Sequence, residues 1–156
     1  MLPAVRMTES SPPPRGAAQK SVKPKAESEI RLAGKRVVIV EDEGVTQLQL
    51  RRICRSEGIE VAGVASNGQE AIQVVLEQKP DLVLMDVQMP IMNGLEAARY
   101  ILERFRACIV MLTAFSEEEY RQEAQAIGVC GYIVKPVTAE ILIPQMAAAL
   151  QKFSQQ

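Results

Sequence analysis

Glu41 and Asp42 follow the short apolar run RVVIV at residues 36–40, Asp86 closes LVLM at 82–85, Thr113 ends CIVMLT, and Lys135 ends GYIVK. Three acids, one hydroxyl and one amine thus stand at the carboxyl ends of β-like runs. Taken singly, each has an ordinary explanation: Asp42 or Glu43 at the positive end of a following helix, Asp86 opening a turn, Thr113 as a β former, Lys135 in solvent. Taken together they demand more, because two carboxylates ~5 Å apart repel by ~3 kcal/mol at an effective dielectric of about 20. Such a cluster needs raised pKa values or a cation. Oxygen donors without sulfur or imidazole suit Mg2+ or Mn2+. Asp42 and Asp86 can supply carboxylates and the Gln88 backbone carbonyl a further oxygen, with Glu41 acting through water, which leaves positions for a phosphoryl group. Phosphoryl transfer needs mainly positioning and charge neutralisation, and a carboxylate can serve as the nucleophile. Asp86 is the candidate, since it alone ends the central buried strand.

The elements that would bring these residues together follow from the pattern. Short apolar runs at 36–40, 59–64, 81–86, 107–113 and 131–135 alternate with segments of helical spacing, such as Leu50, Ile53 and Cys54, or Ala71, Ile72, Val75 and Leu76. Helical connections of this length suit parallel crossovers, and right-handed crossovers cover both faces of a parallel sheet. That accounts for strands that read as continuously apolar rather than alternating. The expected fold is α/β, a doubly wound (βα)5 domain with a five-stranded parallel sheet, whose ligands bind at the carboxyl ends of the strands. Leu142, Met146, Ala149, Leu150 and Phe153 form a stripe on the last helix. Pro144 requires that this helix either starts late, with the proline in its first turn, or kinks.

Composition narrows the function classes. The 156 residues contain no His, which excludes Ser-His-Asp and Cys-His catalysis and a phosphohistidine carrier. Three cysteines, without a C-x-x-C pair, argue for a reducing compartment and against disulfides or structural zinc. A net charge of −1 gives no global basic field for nucleic acid or an anionic membrane. No apolar run reaches a membrane span and no secretory leader is evident, so the protein is expected in the cytoplasm. Residues 1–33 hold five of the nine prolines and six Lys or Arg against three Glu, and read as a disordered Pro/Ser/Lys-rich tail. The folded domain is expected over 34–156.

The motifs VIVEDE, LVLMDVQMPIMNG, MLTAF and GYIVKP resemble, in order and spacing, the response-regulator receiver domains of two-component signalling. The resemblance runs from about Lys35 to about Phe153, and it implies the flavodoxin-like strand order 2-1-3-4-5. Asp86 would be the phosphoacceptor, Asp42 and Glu41 would lie in the Mg2+ pocket, Thr113 would be the switch hydroxyl, Lys135 the phosphate-contacting amine and Tyr132 the aromatic that moves with Thr113. A cis Lys135–Pro136 bond is implied as well, and Gly94 would permit a loop geometry that a Cβ hinders. Gln88 and Phe115 would tune hydrolysis, with Phe115 crowding the attacking water and slowing autodephosphorylation. The phosphoryl donor would be a sensor histidine kinase or His-phosphotransfer protein. Output would pass through the face of the fourth helix, fifth strand and fifth helix, to a downstream protein or a second copy.

MLTAFS and the Pro144 segment are similar to receivers of ANTAR-type regulators, but no output domain is expected after Lys135 and its one further helix, so no RNA partner is implied. The expected protein is a stand-alone phosphorylatable switch rather than a classical enzyme. A pseudoreceiver acting as a constitutive interaction module is the alternative. A haloacid-dehalogenase-like phosphatase would need an acid at Gln88, and a flavodoxin would not place Glu41, Asp42 and Glu43 where it binds phosphate. Dinucleotide and P-loop glycine motifs are absent.

Overall fold

A computed structural model describes residues 31–156, so the predicted tail lies outside the described residues except at its last three positions. Five strands alternate with five helices: β1 (Arg36–Val40), α1 (Gly44–Ser56), β2 (Glu60–Ala65), α2 (Gly68–Gln78), β3 (Leu82–Asp86), α3 (Gly94–Leu102), β4 (Ile109–Thr113), α4 (Glu118–Ile127), β5 (Gly131–Val134) and α5 (Ala139–Ser154). The sheet is parallel throughout, in the order β2-β1-β3-β4-β5. This is the expected (βα)5 architecture.

Burial follows position in the sheet. Every residue of β3 and β4 is buried, because helices cover both faces of the centre, whereas β2 and β5 at the edges are mostly half-exposed. Val38, Val83, Met85, Ile109 and Met111 pack with Ala71 and Val75 of α2 and Ile101 of α3 in one continuous core. Fully burying such side chains stabilises by about 1.5–3 kcal/mol each. Register aligns the strand ends: Val40 lies opposite Met85, and Asp86 opposite Leu112. Asp86, one residue past Met85, therefore emerges beside the segment that leaves β1 at Glu41.

Helix starts are well defined on the site side of the sheet. Asn67 caps α2 by accepting from the Glu70 N–H at 2.9 Å, and Asn93 with Glu96 forms a reciprocal capping box on α3. Glu118 and Glu119 fall in the first turn of α4, where the helix dipole favours acids. At the amino end of the domain, Leu32 is buried and the Gly34 N–H donates to the Gly58 carbonyl at 2.8 Å.

Of the two alternatives for Pro144, the structure excludes one. The last helix begins at Ala139, which puts the proline beyond the first turn and rules out a late start. The carbonyl four residues back belongs to Glu140, and both residues are exposed. Water can therefore take the place of the missing N–H donor, which lowers the usual cost of an interior proline.

Candidate functional site

The predicted acids and amine meet at the carboxyl edge of β1, β3 and β5. Glu41, Asp42 and Asp86 each bring a carboxylate oxygen within 4.8 Å of the others, a grouping that could hold a metal ion. They line an open cleft of about 680 Å3 with Glu43, Gln88, Met89, Asn93, Ala114 and Lys135. Its donor set is hard oxygen, which fits Mg2+ and gives no reason to favour a softer ion.

Neighbours distinguish the three acids sharply. Asp42 is exposed, whereas Glu41 and Asp86 are 1% and 4% exposed. The Lys135 ammonium donates to Glu41 Oε1 at 2.9 Å and to Asp86 Oδ2 at 3.1 Å. Glu41 Oε2 accepts from the Glu43 N–H at 3.1 Å, and Asp86 Oδ1 from the Gln88 N–H at 3.2 Å. Burial nevertheless pushes the Glu41 carboxyl up to about 7, against the hydrogen bond from Lys135, and the negative charge of Asp86 raises it further. Burial alone would lower the Lys135 ammonium, but its hydrogen bonds to Glu41 and Asp86 outweigh that and raise it.

Lys135 is positioned by β5, whose Val134 pairs with Thr113, and by its own N–H, which donates to the Thr113 carbonyl at 2.7 Å. The Lys135–Pro136 bond is cis. Gly94 admits α3 close beneath the site, since a Cβ there would lie 2.1 Å from the Asp86 carbonyl oxygen. The need is for close approach of backbones, as its φ lies outside the left-handed region.

Thr113 sits beside the cleft without lining it. It is fully buried, and its Oγ1 accepts from the Phe115 N–H at 3.0 Å. The Tyr132 hydroxyl donates to the Phe115 carbonyl at 3.1 Å, so Thr113 and Tyr132 both hold the backbone of one residue. Tyr132 is half-buried, and burial raises its hydroxyl pKa. Phe115 does not line the acid cleft: its ring stacks on Tyr120 with centroids 5.0 Å apart, and it lines a neighbouring cavity of about 440 Å3, to which Gln88 also contributes.

Two supports escaped the sequence reading. Gln47 Nε2 donates to the Glu41 carbonyl at 3.0 Å, fixing the segment that carries the acids. The Gly68 N–H donates to the Met92 carbonyl at 3.0 Å, and a Cβ at Gly68 would lie 2.4 Å from that oxygen. The Asn67–Gly68 pair at a helix start was the available signal, although nothing local indicates which loop it would brace.

Fold and cleft define a doubly wound α/β domain with an acidic pocket at the carboxyl ends of its strands, and comparison gives the family. Residues 37–147 match the response regulator receiver domain, and the chain belongs to that family, the receiver domain of two-component response regulators. It is 42% identical over 119 residues to the transcriptional regulatory protein PdtaR of Mycobacterium tuberculosis, covering 76% of this chain and 58% of PdtaR. The match to the chemotaxis protein CheY of Thermotoga maritima is 41% identical over 104 residues, covering 66% of this chain and 87% of CheY. The chain thus spans little more than half of PdtaR's length but most of CheY's. Among solved structures, the CheX-CheY-BeF3-Mg complex from Borrelia burgdorferi aligns with a TM-score of 0.71 at 28% identity, over 73% of this chain and 87% of that one. The signal receiver domain of a modulated diguanylate cyclase from Desulfovibrio desulfuricans also gives 0.71, at 30% identity, over 78% of this chain and 97% of that one. Receiver domains bind Mg2+ at an acidic pocket and interact with histidine kinases and downstream proteins. No helix among the described residues is long and apolar enough to cross a membrane.

Proposed function

We propose that residues 34–156 form a switch that accepts a phosphoryl group from a phosphohistidine onto Asp86, with Mg2+ or Mn2+ held at the cleft, and so alters a protein-interaction surface. The observation that carries this reading is the Asp86 carboxylate itself, nearly buried, gripped by Lys135 and the Gln88 N–H, and set against Glu41 and Asp42. A sensor kinase or phosphotransfer protein supplies the imidazole that this chain lacks. In the transfer, the donor N–P bond breaks as an Asp86 Oδ–P bond forms.

Asp42, Asp86 and the Gln88 carbonyl would hold the cation, with Glu41 acting through a water. When bound, it neutralises negative charge on the cleft and the transferring group. Lys135 stabilises the phosphoryl oxygens, and it stands 3.1 Å from Asp86 already. The Thr113 hydroxyl accepts from the Phe115 N–H and keeps its own proton to donate to the phosphoryl group, and Phe115 is also where Tyr132 is tied. Drawing Thr113 toward the group moves the Phe115 backbone that both side chains hold, and so biases the face of α4, β5 and α5. Among the ten residues of α4 only Ala124 is fully buried, so this helix can shift at modest expense of packing.

Incubation with acetyl phosphate and Mg2+ is expected to add one phosphoryl group by mass, and to add none to Asp86→Asn or in EDTA. Beryllofluoride with Mg2+, the mimic present in the Borrelia CheY complex, is expected to change oligomeric size or partner affinity. No mass gain in the wild type, with Asp86→Asn binding partners equally well, would instead favour a constitutive interaction module.

A further inference from the structure

A cavity of about 370 Å3 lies apart from the acid cleft, lined by Arg121 and Gln125 of α4, Gly131 and Tyr132 of β5, and Gln145 and Lys152 of α5. It shares no residue with that cleft. Ala124 of α4 packs in the core cluster with Met111, whereas Leu142 and Met146 of α5 are buried outside that cluster, so the two helices cover opposite faces of the sheet. Helices from opposite faces line one cavity only around an edge, and β5 is an edge strand that pairs with β4 alone.

Charge on this wall has one sign. Arg121 and Lys152 line it and no carboxylate does. Lys152 is exposed and makes no salt bridge among the described residues. Arg121 Nε lies 3.9 Å from Glu118 Oε1, but both side chains are well exposed and such a pair exchanges partners at little cost. Gln125 and Gln145 add amide donors to the two cations.

Tyr132 connects this wall to the switch corner. Its hydroxyl donates to the Phe115 carbonyl at 3.1 Å, and the Arg121 guanidinium lies 4.8 Å from its ring centroid. A shift of the Phe115 backbone therefore displaces both the cavity wall and the ring against which Arg121 rests.

We propose that this cavity anchors an Asp or Glu side chain of a downstream partner protein, with Arg121 and Lys152 closing on the carboxylate, and that phosphorylation at Asp86 adjusts the fit through Tyr132. The dependence on phosphorylation rests on the switch reading of Asp86; the anchor does not. A nucleic-acid backbone is the poorer occupant, because Glu117, Glu118, Glu119 and Glu123 stand at the start of and along α4 and would repel a run of phosphates. One carboxylate can meet the two cations alone. Residues flanking it in the partner are then basic or neutral, to face the Glu117–Glu119 run.

The test selects a random peptide library, displayed on phage, on the full chain with beryllofluoride and Mg2+. Binders are expected to carry an Asp or Glu at a fixed place, and a synthetic binder should bind Arg121→Gln and Lys152→Gln about tenfold more weakly. Arg121→Lys should keep most of the affinity, and changing the selected acid to Lys should restore binding to Lys152→Glu. Both positions are exposed and outside the acid cleft, so acetyl phosphate labelling should be unchanged in every variant. Binders without a fixed acid, or acidic binders that ignore both substitutions, overturn the proposal. So does a labelled oligonucleotide that binds more tightly than the acidic peptides and loses affinity in the same variants. Self-association that Arg121→Gln abolishes, with no acidic peptide selected, overturns it in favour of a second copy. Equal peptide affinity with and without beryllofluoride, in a chain that acetyl phosphate labels, refutes the link through Tyr132. The same equality in a chain that acetyl phosphate does not label breaks the switch reading and leaves the anchor supported.

Discussion

The acidic edge at β1 and β3 and the corner formed by Thr113, Phe115, Tyr132 and α4 lie side by side but are held in different ways. At the acidic edge each group is over-determined: Asp86 has two donors, Glu41 has Lys135 and the Glu43 N–H, and Gly94 and Gly68 let backbones approach where no side chain would fit. At the corner, one residue's backbone carries both ties, and α4 outside it is largely solvated. A receiver needs both properties. Transfer onto a carboxylate requires fixed geometry, and transmission requires an element that two arrangements can share at similar free energy.

The comparison can be broken most severely at Gly94. Gly94→Ala would drive a methyl to 2.1 Å from the Asp86 carbonyl oxygen, and the backbone cannot yield cheaply. The expectation is a loss of about 3 kcal/mol or more in urea unfolding, together with impaired acetyl phosphate labelling. Labelling and stability both within error of wild type would show that the acidic edge is more pliant than its contacts indicate.

Thr113→Ala sharpens the contrast, because it touches only the corner. It leaves the Phe115 N–H without its partner and should cost about 1–2 kcal/mol. Mass labelling of Asp86 should persist while the beryllofluoride-dependent change in size or affinity is lost. Loss of both together would mean that the two regions do not act separately.

Glu41 offers a pH test of the acidic edge. Its folded pKa of about 7 stands above the usual 4.5, so between these values the folded chain keeps a proton that the unfolded chain has released. Its contribution to stability therefore falls as pH rises from 4.5 towards 7. Glu41→Gln should remove that decline, so that metal-free wild type and variant diverge with pH in denaturant midpoint. Parallel curves across the range would refute the assignment.

The smallest effect is expected at Phe115. Its ring stacks on Tyr120 and faces a cavity other than the acid cleft. Phe115→Ala should change the phosphoryl lifetime only modestly, within about threefold, since the ring packs on Tyr120 and does not line the acid cleft. A tenfold faster decay would restore the crowding expected from the sequence.

Much of the acidic edge was legible in the chain. Continuous apolar runs ending in Asp86, Thr113 and Lys135 reveal buried parallel strands, and a parallel sheet necessarily gathers the carboxyl ends of its strands along one edge. The chain left open whether the last helix starts late or carries Pro144 inside it, and the exposed side of α5, where the Glu140 carbonyl is open to water, decided for the proline inside the helix. Nor did the chain reveal that Thr113 directs its hydroxyl to Phe115, since χ1 choices depend on which backbone groups fold close by.

By itself, then, the sequence determined the order of elements, their parallel pairing and the residue types at the strand ends, because periodicity and terminal polarity are properties of the chain. Tertiary structure alone decided that Lys135 grips Glu41 across 94 residues of separation, and that Glu41 is buried while its neighbour Asp42 is exposed. Register and desolvation made those choices, and both depend on what lies beside a residue in space rather than beside it in the chain.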